Sequence, residues 1–235
     1  MRPSPQSHDV APNDARSRII ACAAQLIASG GSEAATTRAV ASAASVQAPV
    51  IYRLFGDKDG LLDAVCEHVL SEYVAAKTRR KPADDPVEDL RQAWDVHVAF
   101  GLAHPAVFVL INAGRAAKSG AVAAGLAEFR QRVSRVARAG RLRVSEQRAV
   151  DILYAIGTGT ILTLLRKAPT ERGDLSEAAR ETAFDAVIAG RTPSVGDGSR
   201  TAAVSLAASL EQLSVLTPGE AQLMMELLKR IADAC

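Results

Sequence analysis

The stretch from Thr36 to Leu62 reads "TTRAVASAASVQAPVIYRLFGDKDGLL" and holds the residues best placed for chemistry on a nucleic acid. Two short helical patterns flank a turn at Ala44-Ser45-Val46. Pro49 falls in the first turn of the second helix, where a missing N–H costs nothing. Apolar Val40, Ala44, Val46 and Ile51 are spaced to hold the two helices at a fixed angle against their neighbours. Gln47, Ala48 and Val50, small or polar, then project from the start of the second helix. This is helix-turn-helix spacing: the first helix lies across a DNA backbone, and the second enters the major groove, which is wide enough for one helix. The second helix can be short because tertiary packing, rather than propensity, holds it.

Other chemistry finds little support. "GTGT" at 157–160 lies inside a helical run with no following GK[ST], so it is no phosphate loop. No nucleophile elbow is present. The four histidines are scattered and suggest no metal site. Cys22, Cys66 and Cys235 are far apart, without CxxC spacing, and read as reduced thiols of a reducing cytoplasm. No cofactor is expected. "RQRVSRVARAGRLR" at 130–143 is the densest basic run, yet its arginines alternate with an apolar stripe. Most of them are expected on the solvent face of an amphipathic helix.

These residues need helices to position them. The chain has 235 residues, 48% of them hydrophobic, enough for a sizeable core. Its net charge of +2 is small, so any nucleic-acid site must come from local placement of charge. Ile19, Ile20, Ala23, Leu26 and Ile27 predict a first helix over 14–29, stopped by "SGG". Thr36 or Thr37 caps the second, Pro49 opens the third near Gln47, and Asp57 caps the fourth. Further helices are expected at 86–103, 105–115, 121–139, 145–167, 174–190, 200–213 and 218–234. That over 145–167 is apolar nearly all round and reads as buried. No convincing strand is found, so the fold class is all-α. The polar, Pro-rich residues 1–13 read as a disordered tail, 14–76 as the helix-turn-helix domain and 77–235 as a larger helical domain. The longest apolar run, Ile152 to Leu165, falls short of the ~20 residues needed to span a bilayer, so no membrane partner is expected.

The sequence "RSRIIACAAQLIASGG...TTRAVASAASVQAPVIYRLFGDKDGLLDAV" resembles the DNA-binding domain of the tetracycline-repressor (TetR) family over about residues 14–70. The Thr-Thr-Arg start, Val46 after the turn, Ile51-Tyr52, Phe55, and Lys58 followed by Leu61 carry the resemblance. It implies double-stranded DNA as partner. By position, Thr37 matches a phosphate-binding residue, and Arg38 one whose planar fork reaches a base. Gln47, Ala48 and Val50 match the base-facing start of the recognition helix. Tyr52 and Lys58 match phosphate contacts, the latter aided by the dipole of the fourth helix. Two positions depart from the pattern. Ser45 stands where Gly is usual because φ is positive, and Leu54 replaces a common His or Tyr that touches the backbone.

Beyond residue 80 the resemblance is one of architecture: a variable helical domain that binds a ligand and dimerises. Trp94, His97, Asn112, Phe129 and Tyr154 are its pocket candidates, and the aliphatic bulk around them suggests a small, mostly apolar effector. The dimer helices are expected in 145–167 with 174–190 or 200–234. The resemblance implies a cytoplasmic, ligand-responsive regulator, not an enzyme: a repressor binding a palindromic operator as a homodimer. The alternative is an all-α carrier or enzyme whose N-terminal module only supports structure. The Thr37/Arg38/Gln47/Tyr52/Lys58 set speaks against it, since a structural module has no need to array those groups on one surface.

Overall fold

The computed structural model describes residues 12–115, 118–189, 197–210 and 215–233. The expected tail up to residue 11, residues 190–196 of the connection after the 174–190 helix, and Cys235 lie outside the described residues. The described residues form α1 (Pro12–Ala34), α2 (Thr37–Ala43), α3 (Ala48–Phe55), α4 (Lys58–Arg79), α5 (Pro86–Ala103) and α6 (Pro105–Asn112). These are followed by α7 (Gly120–Arg138), α8 (Glu146–Leu164), α9 (Leu175–Val187), α10 (Asp197–Ser209) and α11 (Pro218–Asp233). Among them the only extended pairing is an isolated bridge between Leu142 and Ile188, so the fold is all-α. No single helix among the described residues is long and apolar enough to cross a membrane.

The chain divides into two compact units, one of residues up to Ala76 with His104–Ala123, the other of Lys77–Ala103 with everything from Ala124 onward. Residues 104–123, which the sequence reading placed in the C-terminal domain, therefore group with the N-terminal helices. The cause is packing: α6 lies against α1.

In the N-terminal unit, α1 breaks at Gly30 (φ −142°) and Gly31 (φ 72°), a left-handed position that suits glycine. The helix proper thus ends at "SGG". Its apolar stripe, Ile19, Ala23 and Ile27, is buried together with Val40, Ala44, Ile51, Leu61 and Val65. Cys66 joins this core, and burial pushes its thiol up to about 11, with the Asp63 carboxylate adding to the effect. It is an inert thiol at neutral pH.

In the C-terminal unit, α8 packs on α9 and α5. Val133, Val136, Leu153, Ile161, Phe184 and Val187 form the buried heart. The expectation that 145–167 is buried all round is corrected here. α8 spans 146–164 and buries one face through Ala149, Val150, Leu153, Gly157, Thr160, Ile161 and Leu164. Gln147, Asp151, Tyr154, Ala155, Gly159 and Thr163 face out. Ala155 and Gly159 on that outer face are small enough to stand exposed at little cost.

Candidate nucleic-acid interface

Thr36 caps α2: its Oγ1 accepts a hydrogen bond from the Ala39 N–H at 3.1 Å, which satisfies one of the helix's free donors. Thr37 and Arg38 then stand in the first turn, Arg38 exposed. The turn to α3 is tied by Ala44 N–H to Val40 O at 2.9 Å and Val46 N–H to Ala41 O at 3.0 Å. Ser45 has φ 53°, the positive value expected where Gly is usual. Arg18 of α1 reinforces the turn by donating from Nε to Ala44 O at 3.1 Å, a contact that no local pattern revealed.

Gln47 is the N-cap of α3, in extended conformation, but its side chain makes no capping bond. Its amide is exposed and free to meet a base edge. Ala48 and Val50 are half-buried beside it, Pro49 is exposed, and Ile51 is the buried anchor that fixes the helix to its unit. On the outer side Tyr52 is 52% exposed, and its hydroxyl lies 3.5 Å from Thr37 Oγ1. The two expected phosphate contacts, fifteen residues apart in sequence, therefore converge from α2 and α3 on one spot. Arg53, one residue further on, is exposed in the last turn of α3. Its i+4 spacing from Pro49 sets it on the same face. Among the described residues neither Arg38 nor Arg53 makes an ion pair, so both guanidiniums stand open to an anion.

The exit from α3 is equally constrained. Gly56 closes the helix at φ 81°, and Asp57 Oδ1 accepts from the Gly60 N–H at 2.7 Å to cap α4. A Cβ on Gly60 would lie 2.0 Å from the Phe55 carbonyl oxygen, so the junction requires glycine there. Lys58 stands at the start of α4 and pairs with Glu33 at 3.5 Å. Glu33 is 91% exposed, so the pair is weak. Arg16 lies over the Phe55 ring at 5.2 Å. Leu54 is half-buried and offers no polar atom to a backbone.

Comparison with known proteins bears on this geometry. The family model described as bacterial regulatory proteins, tetR family, matches residues 19–65, which span α2, α3 and their supports. The chain carries a TetR-family DNA-binding domain. The transcriptional regulator BetI of Burkholderia mallei is 38% identical over 78 residues, which is 32% of this chain and 40% of that protein. BetI of Burkholderia cenocepacia matches at 37% over the same length. The chain thus covers less than half the length of these curated relatives. Solved structures agree in fold over more of the chain. The fatty acid degradation regulator FadR from Bacillus halodurans superposes with TM-score 0.59 and 16% identity, covering 83% of this chain and 100% of that one. A TetR-family regulator from Agrobacterium tumefaciens gives TM-score 0.59 and 18% identity, with coverage of 76% and 100%.

Outside the TetR-type reading head, the five pocket candidates do not form one group. Trp94 is buried in α5, its ring against Gly157, where a Cβ would lie 3.4 Å from Cζ3; its Nε1 donates to Ser176 Oγ at 3.4 Å. His97 and Phe129 are partly buried in the same unit. Burial pushes the His97 imidazole down to about 4, helped by the Lys77 ammonium. Tyr154 faces outward, 51% exposed. Asn112 belongs to the other unit and donates to Phe108 O of its own helix at 2.9 Å. An open groove of about 730 Å³ lies instead within the N-terminal unit. Arg16, Asp59, Asp63, Glu67, Arg115 and Lys118 line it beside Ala64 and Ala113, and none of the five does.

The basic run 130–143 is also corrected. Arg130 and Arg138 are exposed, but Arg132 and Arg135 turn inward onto Asp89, a carboxylate 1% exposed. Arg132 Nη1 lies 2.5 Å and Arg135 Nη1 2.8 Å from Asp89 Oδ2. Arg80 and the Ala83 N–H approach Oδ1 at 3.5 and 3.0 Å. Glu128 bonds Arg132 and lies 2.7 Å from Lys77 Nζ. Burial pulls the Lys77 ammonium below its ordinary range, against Glu128, which pushes it back up. No periodicity distinguishes an inward arginine from an outward one, since its partner lies some forty residues away in sequence.

Proposed function

We propose that this chain is a ligand-responsive, DNA-binding transcriptional repressor that acts as a homodimer on a palindromic operator. The observation that carries this reading is the convergence of Thr37 and Tyr52, 3.5 Å apart, on the edge of a surface that also bears Arg38, Gln47 and Arg53. Thr37, Tyr52 and Lys58 hold phosphates and set the register. Arg38, with Gln47, Ala48 and Val50, reads base edges, the Arg fork suiting guanine O6 and N7. Arg53 adds a phosphate contact. Two such heads reach successive major grooves about 34–36 Å apart on one face of the duplex, which requires two copies and a two-fold symmetric site. A cytoplasmic location and the absence of catalysis follow from that role.

The effector is a small, mostly apolar molecule bound in the C-terminal unit near Trp94, His97 and Phe129. To release DNA it must bind more tightly to the conformation whose heads are wrongly spaced, since a ligand shifts an equilibrium only by its differential affinity. The test is selection of random duplex DNA on the purified chain at a stated salt concentration, beside Arg38→Ala, Tyr52→Ala and Arg53→Ala. A palindromic motif is expected. Arg38→Ala should relax one base position at a cost of about 1–3 kcal/mol. Tyr52→Ala and Arg53→Ala should weaken all sites alike. A folded dimer that enriches no motif overturns the reading in favour of a carrier or enzyme.

A further inference from the structure

The turn between α2 and α3 hinges on one peptide unit. Ala44 caps α2 with ψ −1° and Ser45 follows with φ 53°, so rotation of the plane between them swings α3 against α2. Glycine holds a positive φ without cost, whereas serine resists it. The N–H end of the unit is tied locally, from Ser45 to Ser42 O at 3.2 Å. The carbonyl end is different. Ala44 is buried, and among the described residues no backbone N–H reaches its oxygen. Its donor comes from α1: Arg18 Nε, 26 residues away in sequence, at 3.1 Å. The rest of the guanidinium has no comparable task. Its Nη1 lies 3.6 Å from Asp14 in an i,i+4 pair at 39% and 70% exposure, which contributes little.

We propose that Arg18 is a positioning residue for sequence readout. It acts on DNA only through the turn, by fixing the peptide plane that sets the angle between α2 and α3. That angle decides whether Thr37 of α2 and Tyr52 of α3 stay together at 3.5 Å. It also decides where Gln47 points while those two hold the DNA backbone. With the plane released, the buried Ala44 carbonyl loses its donor and Ser45 relaxes toward negative φ. The phosphate contacts of the two helices then part, and the base-reading side chains lose register with the groove. Arg18 thus supplies from outside the motif what glycine at position 45 would supply from within. This inference rests on the DNA-reading function proposed above, and it names a residue off the reading surface on which specificity depends.

Two variants of nearly the same shape test it. Glutamine carries an N–H donor at the chain position of arginine Nε, without the charge, and methionine carries a methyl group there. Each full-length variant is titrated, across a range of salt, with the duplex motif that the wild type enriches and with a scrambled duplex. Circular dichroism verifies the fold, and a stoichiometric titration fixes the active fraction. Arg18→Met should reduce the ratio of motif to scrambled affinity about tenfold, the order of one hydrogen bond from a charged donor. Arg18→Gln should bring it back to within about threefold of the wild type, since the neutral donor is the weaker one. Both should keep the wild-type salt slope, because no phosphate contact is lost. A slope lower by about 1 in both variants, without recovery in Arg18→Gln, overturns the proposal and makes Arg18 a phosphate contact. A loss confined to the active fraction, with the ratio intact, also overturns it and leaves Arg18 a purely structural residue. So does an Arg18→Met protein that discriminates like the wild type. A wild type that enriches no motif overturns the DNA-reading function itself, and this inference with it.

Discussion

The two units place their charge in opposite ways. In the N-terminal unit the buried residues are apolar, and the proposed DNA-contacting groups, Arg38, Gln47, Tyr52 and Arg53, stand on the surface with few internal ties. In the C-terminal unit Asp89 and Arg132 are buried, at 1% and 7% exposure, and Lys77 and Glu128 complete a chain of ion pairs around them. The first arrangement leaves charge available for a partner that brings its own anions. The second removes it from solvent, where each ion depends on the next. An isolated charge transferred to the interior costs several kcal/mol, so loss of one member leaves the others uncompensated. Substitutions should therefore act on binding in the first unit and on stability in the second.

The largest expected effect is at Asp89. Asp89→Ala leaves Arg132 buried without its carboxylate and releases Arg135, Arg80 and the Ala83 N–H. A destabilisation of about 3–5 kcal/mol is expected, the usual penalty for breaking a buried pair from one side. Urea unfolding followed by fluorescence of Trp94, the chain's single tryptophan, reads this unit directly. The matching change in the N-terminal unit, Glu33→Gln, removes an exposed partner of Lys58 and should leave stability unchanged. Equal losses in the two variants would erase the distinction between the units.

The same contrast governs what the sequence disclosed. Helix bounds were legible because their signals are local. Thr36 and Asp57 cap where the turn needs a side-chain acceptor, Pro49 and Pro105 open helices, and "SGG" ends the first. The exposure of Gln47 and Tyr52 was legible for a related reason: they stand at the cap of, and within, one short helix whose buried face, through Ile51, fixes the rest outward. Interior chemistry was not legible. By position Asp89 is a first-turn acidic residue of the kind that favours a helix N-terminus. Its three guanidinium partners come from a loop and from α7, and only the packing of those segments brings them together. Apolar content also misled over 145–167, because small residues such as Ala155 and Gly159 interrupt the polar pattern of the outer face without needing burial.

A smaller effect should appear with pH. His97 titrates near 4 in the folded chain against a usual value of 6.5, because burial and Lys77 disfavour its charged form. Between those values the unfolded chain binds a proton that the folded chain refuses. Stability from this group is thus complete above about pH 6.5 and falls as pH drops toward 4, by an amount of order 2–3 kcal/mol. Urea midpoints at pH 7 and pH 5 should separate for the wild type, and His97→Phe should bring them closer. An unchanged separation in His97→Phe would weaken the case that His97 is held neutral inside.

The smallest effect tests the N-terminal unit on its own terms. Ser45 is held at φ 53°, the only positive φ outside glycine among the described residues, by the Ala44, Ser45 and Val46 N–H bonds of the turn and by Arg18. A side chain there carries a strain of about 1 kcal/mol or more, part of which glycine returns to the unfolded chain as entropy. Ser45→Gly should therefore stabilise this unit by about 0.5–1 kcal/mol, read as a higher midpoint in thermal unfolding by circular dichroism. DNA affinity should hold or rise slightly, since Ser45 is exposed at the turn while the proposed base-reading groups sit on α2 and at the start of α3. A loss of stability would mean that the Ser45 hydroxyl contributes more than its backbone costs. The turn would then belong with the charged interior, as a place where a polar side chain holds the fold together.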